Sequence, residues 1–188
     1  VESIPDAVES IAVATLFSFE NSVHEEMIGR VLRSETDVEY VTLSSDVVSE
    51  FREYERTATT VMNAALKPVI EEYLDRLSGR TRAFGIEDEW VVMQSNGGLM
   101  SKETAQSTPV TTLVSGPAGG VQGARFLADA AGYRDVITMD MGGTSTDVSL
   151  IDDGEPRYTT EWHIGEHPLR VPAIDIHTIG AGGGSIAW

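Results

Sequence analysis

The chain has 188 residues, 41% of them hydrophobic, and a formal net charge of −17 from 30 acidic and 13 basic side chains. This length supports a sizeable core, and the absence of cysteine excludes disulfides and thiolate metal sites. The acidic balance argues against nucleic-acid binding, and no apolar run approaches the roughly 20 residues of a membrane span, so we expect a cytoplasmic protein.

Lysine is scarce, with only Lys67 and Lys102 in the whole sequence. Together with the negative charge, this favours adaptation to a salt-rich cytoplasm, where screening relieves repulsion between surface carboxylates. An acidic protein of an ordinary cytoplasm is the alternative. Because the sequence lacks an initiator Met and ends soon after a glycine-rich run, we also expect a piece of a longer chain.

The first forty-odd residues predict a βαβ unit. Residues 11–17 form a continuous apolar run, which is typical of a parallel strand covered on both faces. Asn21 or Ser22 can cap the helix that follows, whose apolar residues recur at helical spacing up to residue 32. Tyr40–Leu43 then reads as the second strand.

Residues 61–77 carry the longest helical stripe, and Pro68 should kink or divide that helix. Just upstream, Arg56, Thr60 and Asn63 share one helical face, which is either solvated or turned toward a substrate.

Residues 90–94 predict a third buried strand, followed by Asn96, Gly97 and Gly98. Ligands gather beyond the carboxyl ends of strands in open α/β sheets, so these three residues either face a site or form an ordinary turn.

Residues 115–132 predict a helix with Ser115 or Gly116 as N-cap, Pro117 at its first position and Gly132 just past its end. Its first half is rich in glycine, at positions 116, 119, 120 and 123. Each interior glycine costs about 0.5–1 kcal/mol relative to alanine. We therefore expect another backbone or a ligand to approach this helix closely.

The next feature is a predicted β-hairpin whose strands, near residues 136–139 and 148–150, are joined by a polar loop. Glycine N–H groups and hydroxyls in such a loop suit a phosphate. Asp140 and Asp147 would repel a phosphate directly, but they make sense around Mg²⁺. A glycine-rich hairpin with two solvated acids is the alternative.

Beyond the hairpin, Asp153 and Gly154 predict a turn, and residues 158–163 and 170–176 predict further strands. Residues 179–185 form a glycine-rich run that could lie along a nucleotide, or could simply be a loop.

Four motifs in order, VMQSNGGLM at 92–100, SGPAGGV at 115–121, DMGGTSTD at 140–147 and GAGGGS at 180–185, resemble those of the hydantoinase A/oxoprolinase family. The resemblance spans nearly the whole chain. More distantly, a helix that leads into a strand and a D-x-G-G-T loop is similar to the actin, sugar kinase and heat-shock chaperone ATPases.

This resemblance implies an α/β protein with the actin-like ATPase (ribonuclease H-like) fold, a mixed sheet with flanking helices, as a fragment of a two-lobed protein. Residues 1–114 would be the βαβαβ part of lobe one and 115–134 the connecting helix. Residues 135–188 would be the opening strands of lobe two with an adenosine-type loop. The family's first phosphate loop has no counterpart here, so the fragment alone is expected to be inactive.

The resemblance also implies ATP-dependent hydrolysis of a cyclic amide or imide, in which phosphorylation makes the carbonyl oxygen a leaving group. Asp140 and Asp147 would be catalytic and would hold Mg²⁺. ATP would be bound by the residues of the two glycine-rich loops: Gly142, Gly143, Thr144, Ser145, Thr146, Gly180, Gly182, Gly183 and Gly184.

On the substrate side, the turn position suggests Asn96, Gly97 and Gly98, and the shared helical face suggests Arg56. A hydantoinase B-type partner subunit or domain is implied, and self-association is also considered. Two other functions stay open: a subunit of an ATP-dependent acetone-carboxylase-type enzyme, and a non-catalytic nucleotide-binding module.

Overall fold

The computed structural model describes residues 4–5, 7–86 and 90–186. Its helices are α1 (Val23–Glu35), α2 (Ser44–Val47), α3 (Glu53–Ala83), α4 (Lys102–Ser107) and α5 (Ser115–Ala130), with a 3₁₀ turn at Pro109–Thr112. The strands are β1 (Ser10–Val13), β2 (Tyr40–Leu43), β3 (Val92–Met93), β4 (Leu99–Met100), β5 (Val136–Met141), β6 (Thr146–Asp152), β7 (Glu155–Pro156), β8 (Tyr158–Thr159), β9 (Trp162–Ile164), β10 (His167–Leu169), β11 (Ala173–Ile174) and β12 (Ile176–Ile179). None of the helices in these described ranges has the length and hydropathy needed to cross a membrane.

The chain forms two compact units. The first contains Val1–Val91, Ser101–Val110 and Glu161–Val171, and the second contains Val92–Met100, Thr111–Thr160 and Pro172–Trp188. The lobe boundaries suggested for the intact protein stay a prediction.

The predicted βαβ unit is present in the first unit. Strands β1 and β2 are parallel, with Ser10 opposite Tyr40, and α1 connects them. Val13, Leu32, Val41 and Leu43 form their buried cluster. The first strand is shorter than predicted, because the backbone N–H of Thr15 donates to the Glu25 carboxylate at 2.8 Å instead of continuing the ladder.

Glu25 is fully buried and organises the loop that follows β1. Besides Thr15, its carboxylate accepts hydrogen bonds from Ser44 Oγ at 2.7 Å and from the Ser45 N–H at 2.9 Å. Burial alone would raise the pKa of Glu25, but the hydrogen bonds from Ser44, Ser45 and Thr15 outweigh it and lower the pKa below its ordinary value of 4.5.

A glutamine at position 25 tests this network. A lowered pKa stabilises the fold above the ordinary pKa, and this stabilisation is lost as pH falls through the folded-state pKa. We expect Glu25→Gln to lower the free energy of unfolding at pH 7 by about 1–3 kcal/mol, with a smaller difference from wild type near pH 3. Thermal melts at both pH values measure this. Glu26→Gln, at an exposed neighbour, is the control, and a difference independent of pH would contradict the account.

Helix α3 runs unbroken over 31 residues with Pro68 inside it, so the predicted division does not occur. Arg56, Thr60 and Asn63 are fully buried, so the prediction of a solvated face is wrong. Arg56 donates to the carbonyls of Thr15 at 2.7 Å and Glu50 at 2.9 Å. We therefore assign Arg56 a structural role in place of the substrate contact suggested by the sequence.

In the second unit, the predicted third strand is present, but the prediction that it is buried is wrong. Strand β3 is two residues long, partly buried, and antiparallel to β4. Ser95 and Asn96 form the turn that reverses the chain, and Gly97 follows it at a φ of 79°, which glycine adopts without strain. These residues form a short hairpin.

Helix α5 begins at Ser115, two residues before the predicted first position Pro117, with Val114 as its N-cap, and Gly132 follows its C-cap at a φ of 80°, as predicted. The β5–β6 hairpin and the Asp153-Gly154 turn are confirmed. The hairpin lies in a sheet ordered β12-β6-β5, with β7 also paired to β6.

The two strands predicted after the hairpin are each divided between the two units. Strand β8 pairs with β11 in the second unit, whereas β9 pairs with β10 in the first. Arg170 helps hold the β9–β10 segment within the first unit, since its backbone N–H donates to Thr59 Oγ1 at 3.0 Å and its guanidinium to Glu50 at 2.8 Å.

The β5–β6 hairpin has one covered and one uncovered face. Val136 and Ile174 pack with Ala118, Val121 and Ile151 against α5. The opposite side, here called the open face, is the set of apolar side chains Ile137, Met139, Met141 and Leu150, of which Ile137 is 70% and Met139 68% exposed.

We predict that the 188-residue chain self-associates through the open face, because large exposed apolar patches seldom stay bare in water. Met139→Glu should shift the mass measured by light scattering toward that of the monomer. Met27→Glu, at an exposed methionine of α1, should leave the mass unchanged. A wild-type chain that stays monomeric at high concentration would refute the prediction.

Candidate functional site

The hairpin brings Asp140 and Asp147 directly opposite each other. They are a register pair of the antiparallel β5–β6 ladder, and opposite residues of such a ladder project from the same face. This is the face that packs against α5. Asp147 is fixed by Thr178 on β12, whose hydroxyl donates to its carboxylate at 2.7 Å, while Asp140 is exposed.

A cavity of about 260 Å³ lies between α5 and the hairpin, lined by Pro117 and Gly120 on the helix and by both aspartates on the hairpin, among others. A Cβ added at Gly116, Gly120 or Gly123 would meet no atom within 4 Å. The expected close approach of another backbone is therefore wrong at these positions. The helix instead leaves open space opposite the carboxylates. The other predicted explanation for the glycines, that a ligand approaches this helix, is therefore retained.

The two glycine-rich segments, which are distant in sequence, are hydrogen-bonded to each other. The N–H groups of Gly183 and Gly184 donate to the carbonyls of Gly142 and Gly143, each at 2.9 Å. The hydroxyl of Thr146 donates to the Ala181 carbonyl at 2.6 Å. The loops predicted to bind phosphate and adenosine thus form one structure.

Three of the residues predicted to bind ATP hold together the two glycine-rich loops, whose contact is here called the junction. A Cβ on Gly182 would lie 2.7 Å from the Gly142 carbonyl oxygen, and one on Gly184 would lie 2.8 Å from that of Gly143. Thr146 is buried with its hydroxyl bonded to Ala181. We therefore assign these three residues to holding the loops together.

Gly182 offers a matched test of the junction. Gly182→Ala should lower the stability of the second unit by about 1–3 kcal/mol, because the added methyl overlaps the backbone at Gly142 and Gly143. Gly180→Ala, where an added Cβ meets nothing within 4 Å, should melt like wild type. Thermal unfolding compares the two variants, and equal melting temperatures would show that the junction tolerates the methyl group.

The carboxylate pair suits a metal that needs few protein ligands. Across the described part of the chain, no group of three or more His, Cys, Asp or Glu side chains is placed to hold a metal ion. Mg²⁺ keeps several waters and is commonly bound through one or two carboxylates together with substrate phosphates. Asp140 and Asp147 fit that pattern.

The predicted substrate-side residues Asn96, Gly97 and Gly98 line a second cavity of the second unit, of about 530 Å³. The sequence interpretation missed the other residues of its wall: Gln122, Tyr158, Thr159, Thr160 and Pro172. Gln122 lies on α5, and the helical pattern of the sequence does not show that this residue faces the Asn96 turn. No local pattern indicates the β8 residues.

These features define a mixed α/β domain with a glycine-rich, carboxylate-bearing hairpin. A family model described as Hydantoinase/oxoprolinase matches residues 56–188. The chain belongs to the hydantoinase/oxoprolinase family, as its motifs indicated.

Among curated relatives, the chain is 38% identical to the 5-oxoprolinase of Saccharomyces cerevisiae, with 96% of this chain and 14% of that protein covered. It is 35% identical to the caprolactamase subunit alpha of Pseudomonas jessenii, with 96% and 26% covered. The chain thus spans about a quarter or less of the length of these relatives.

Two solved structures match the fold. The ATP-dependent caprolactamase from Pseudomonas jessenii superposes with a TM-score of 0.84 at 37% identity, over 94% of this chain and 26% of that one. Nucleotide-free acetone carboxylase, described as an enzyme of ATP-dependent acetone carboxylation, gives 0.78 at 31%, over 93% and 25%. The mixed α/β fold is therefore that of a domain in ATP-dependent enzymes.

Proposed function

We propose that the intact protein uses ATP to hydrolyse a cyclic amide or imide, and that this chain contributes its actin-like phosphate-binding loop. The observation that carries the proposal is the register pair Asp140 and Asp147, placed beside a glycine loop that a second glycine segment holds in place. The similarity to a caprolactamase and a 5-oxoprolinase, named for ring amides, supports the reaction class.

The hairpin loop would bind the phosphates of ATP. Gly143, Thr144 and Ser145 offer peptide N–H groups and hydroxyls at a tight turn, which suits phosphate oxygens. Gly180 and Gly183 would lie along the adenosine, with Gly183 already fixed by its bond to Gly142.

Asp140 and Asp147 would hold Mg²⁺. Bound MgATP supplies the phosphoryl group that turns a poor amide oxygen into a leaving group. The chain's own contribution is positional: Thr178 orients Asp147, and the ladder sets Asp140 opposite it. Preorganised charge of this kind stabilises a transition state without reorganisation during the reaction.

A second function is favoured by its own observation. The chain is also 33% identical to the acetophenone carboxylase gamma subunit of Aromatoleum aromaticum, and acetone carboxylase matches its fold. A carboxylase subunit would use the same hairpin, and a non-catalytic nucleotide-binding module would share its fold. Because relatives are named as subunits, we include a hydantoinase B-type partner in the proposal. The cytoplasmic location and the adaptation to salt stay predictions.

Substrate-stimulated phosphate release separates these functions. The intact protein, with its partner where one is required, is incubated with MgATP and hydantoin, 5-oxoproline, or acetone plus bicarbonate. Stimulation by a ring amide supports the proposal, and stimulation only by the ketone with bicarbonate favours the carboxylase. ATP binding without stimulation by any of them would leave the non-catalytic module.

Asp140→Ala in the intact protein should reduce substrate-stimulated turnover on the order of a hundredfold or more, because a positioned charge at the transferring phosphate is lost. The melting temperature should stay close to that of wild type, since Asp140 is exposed. Asp37→Ala, at an exposed aspartate between α1 and β2, is the control. Near-normal turnover by the folded Asp140→Ala variant would remove Asp140 from the mechanism.

A further inference from the structure

The 530 Å³ cavity of the second unit differs in character from the rest of this acidic chain. Its described lining is Asn96, Gly97, Gly98, Gln122, Tyr158, Thr159, Thr160 and Pro172, and none of these side chains carries a formal charge at neutral pH. The whole chain carries a net charge of −17. The volume lies in the range of small-molecule sites, so a neutral, hydrogen-bonding ligand matches this wall.

The turn that forms one side of the cavity is anchored by Ser95, which is fully buried. Its hydroxyl donates to the Thr111 carbonyl at 2.7 Å and accepts from the Val114 N–H at 3.3 Å. Its carbonyl accepts from the Ile174 N–H at 2.9 Å. Bonds to the start of α5 and to β11 therefore hold the turn in place, as a recognition element requires.

Two carboxamides meet at this turn. Asn96 accepts the Gly98 N–H through its side-chain oxygen at 2.8 Å, which leaves its NH₂ group to donate elsewhere. Gln122 packs against Gly97 so closely that a Cβ there would lie 2.4 Å from its Nε2. The absence of a side chain at Gly97 thus lets the Gln122 amide reach the turn.

We infer that this cavity recognises an uncharged cyclic amide or imide through Asn96 and Gln122, and that it disfavours a ring bearing a carboxylate. A ring amide offers one N–H donor and one carbonyl acceptor, which carboxamides complement in both directions. The described wall provides no cationic side chain to pair with a carboxylate, and the chain's net charge of −17 would repel one. The inference rests on the proposed function and narrows its substrate to hydantoin-like or lactam rings, in preference to 5-oxoproline.

The test uses the intact protein and two variants that keep side-chain shape. Asn96→Asp retains the acceptor for Gly98 but replaces the NH₂ donor, and Gln122→Glu places a carboxylate in the same space. Each should raise the KM for hydantoin or caprolactam about tenfold or more, with the KM for ATP within about twofold of wild type. The matched control is Asn21→Asp, at an exposed residue just before α1. Aspartate keeps the side-chain oxygen that accepts the Val23 N–H, so this variant should change neither KM.

Calorimetric titration with hydantoin and caprolactam, without ATP, tests the cavity even when turnover is absent. Ring binding that the two variants weaken about tenfold supports the inference, and absent phosphate release would then count against the proposed function alone. Three results would overturn the inference: equal ring binding by wild type and variants, no binding of either ring at millimolar concentration, or tighter binding of 5-oxoproline than of the two rings.

Discussion

The second unit depends on main-chain hydrogen bonding between two glycine-rich segments. The N–H groups of Gly183 and Gly184 bond to the carbonyls of Gly142 and Gly143, so the hairpin loop is held by the segment that follows β12. This contact lies next to the pairing of β12 with β6, in which the Thr178 hydroxyl donates to the Asp147 carboxylate. Without it, β12 would still pair with β6, but the loop beside the carboxylate pair would lose the two backbone hydrogen bonds that hold it.

Glycine has two opposite roles in this unit. At position 182 the missing side chain allows two backbones to come within contact distance, whereas at position 120 it leaves space that no described atom fills. Sequence cannot separate these roles, because both appear as a glycine with an unfavourable intrinsic propensity. Only the atoms around each Cα position show which glycines hold the fold together and which leave room for a ligand.

The elements predicted correctly from sequence are those set by local chemistry. The β5–β6 hairpin follows from alternation and turn residues, and Gly132 ends α5 because glycine adopts positive φ. Errors arose where distant partners decide the structure: residues 161–171 join the first unit through contacts such as Arg170 with Glu50. The burial of Arg56 was not predicted, because one of the carbonyls that it bonds belongs to Thr15 on a distant segment, about which helical periodicity carries no information.

The candidate site was predictable in part for the same reason. Motifs contiguous in sequence gave the Asp140 and Asp147 hairpin and the Asn96 turn, because each lies within one reversal of the chain. Gln122 was missed because its role appears only when α5 packs against that turn. Sequence therefore indicates the loops that carry site residues more readily than the helix positions that face them.

Helix geometry explains how α5 contributes to two chemically different cavities. Gly120 lines the cavity that contains the aspartates, and Gln122 lines the neutral one. Two residues apart on a helix correspond to a rotation of about 200° and a rise of about 3 Å. The two residues therefore project from opposite sides of the helix at nearly the same height. One rigid element thus separates a cavity lined by two aspartates from a cavity whose described wall offers only dipoles and hydroxyls, and a single glycine-rich helix fixes the distance between them.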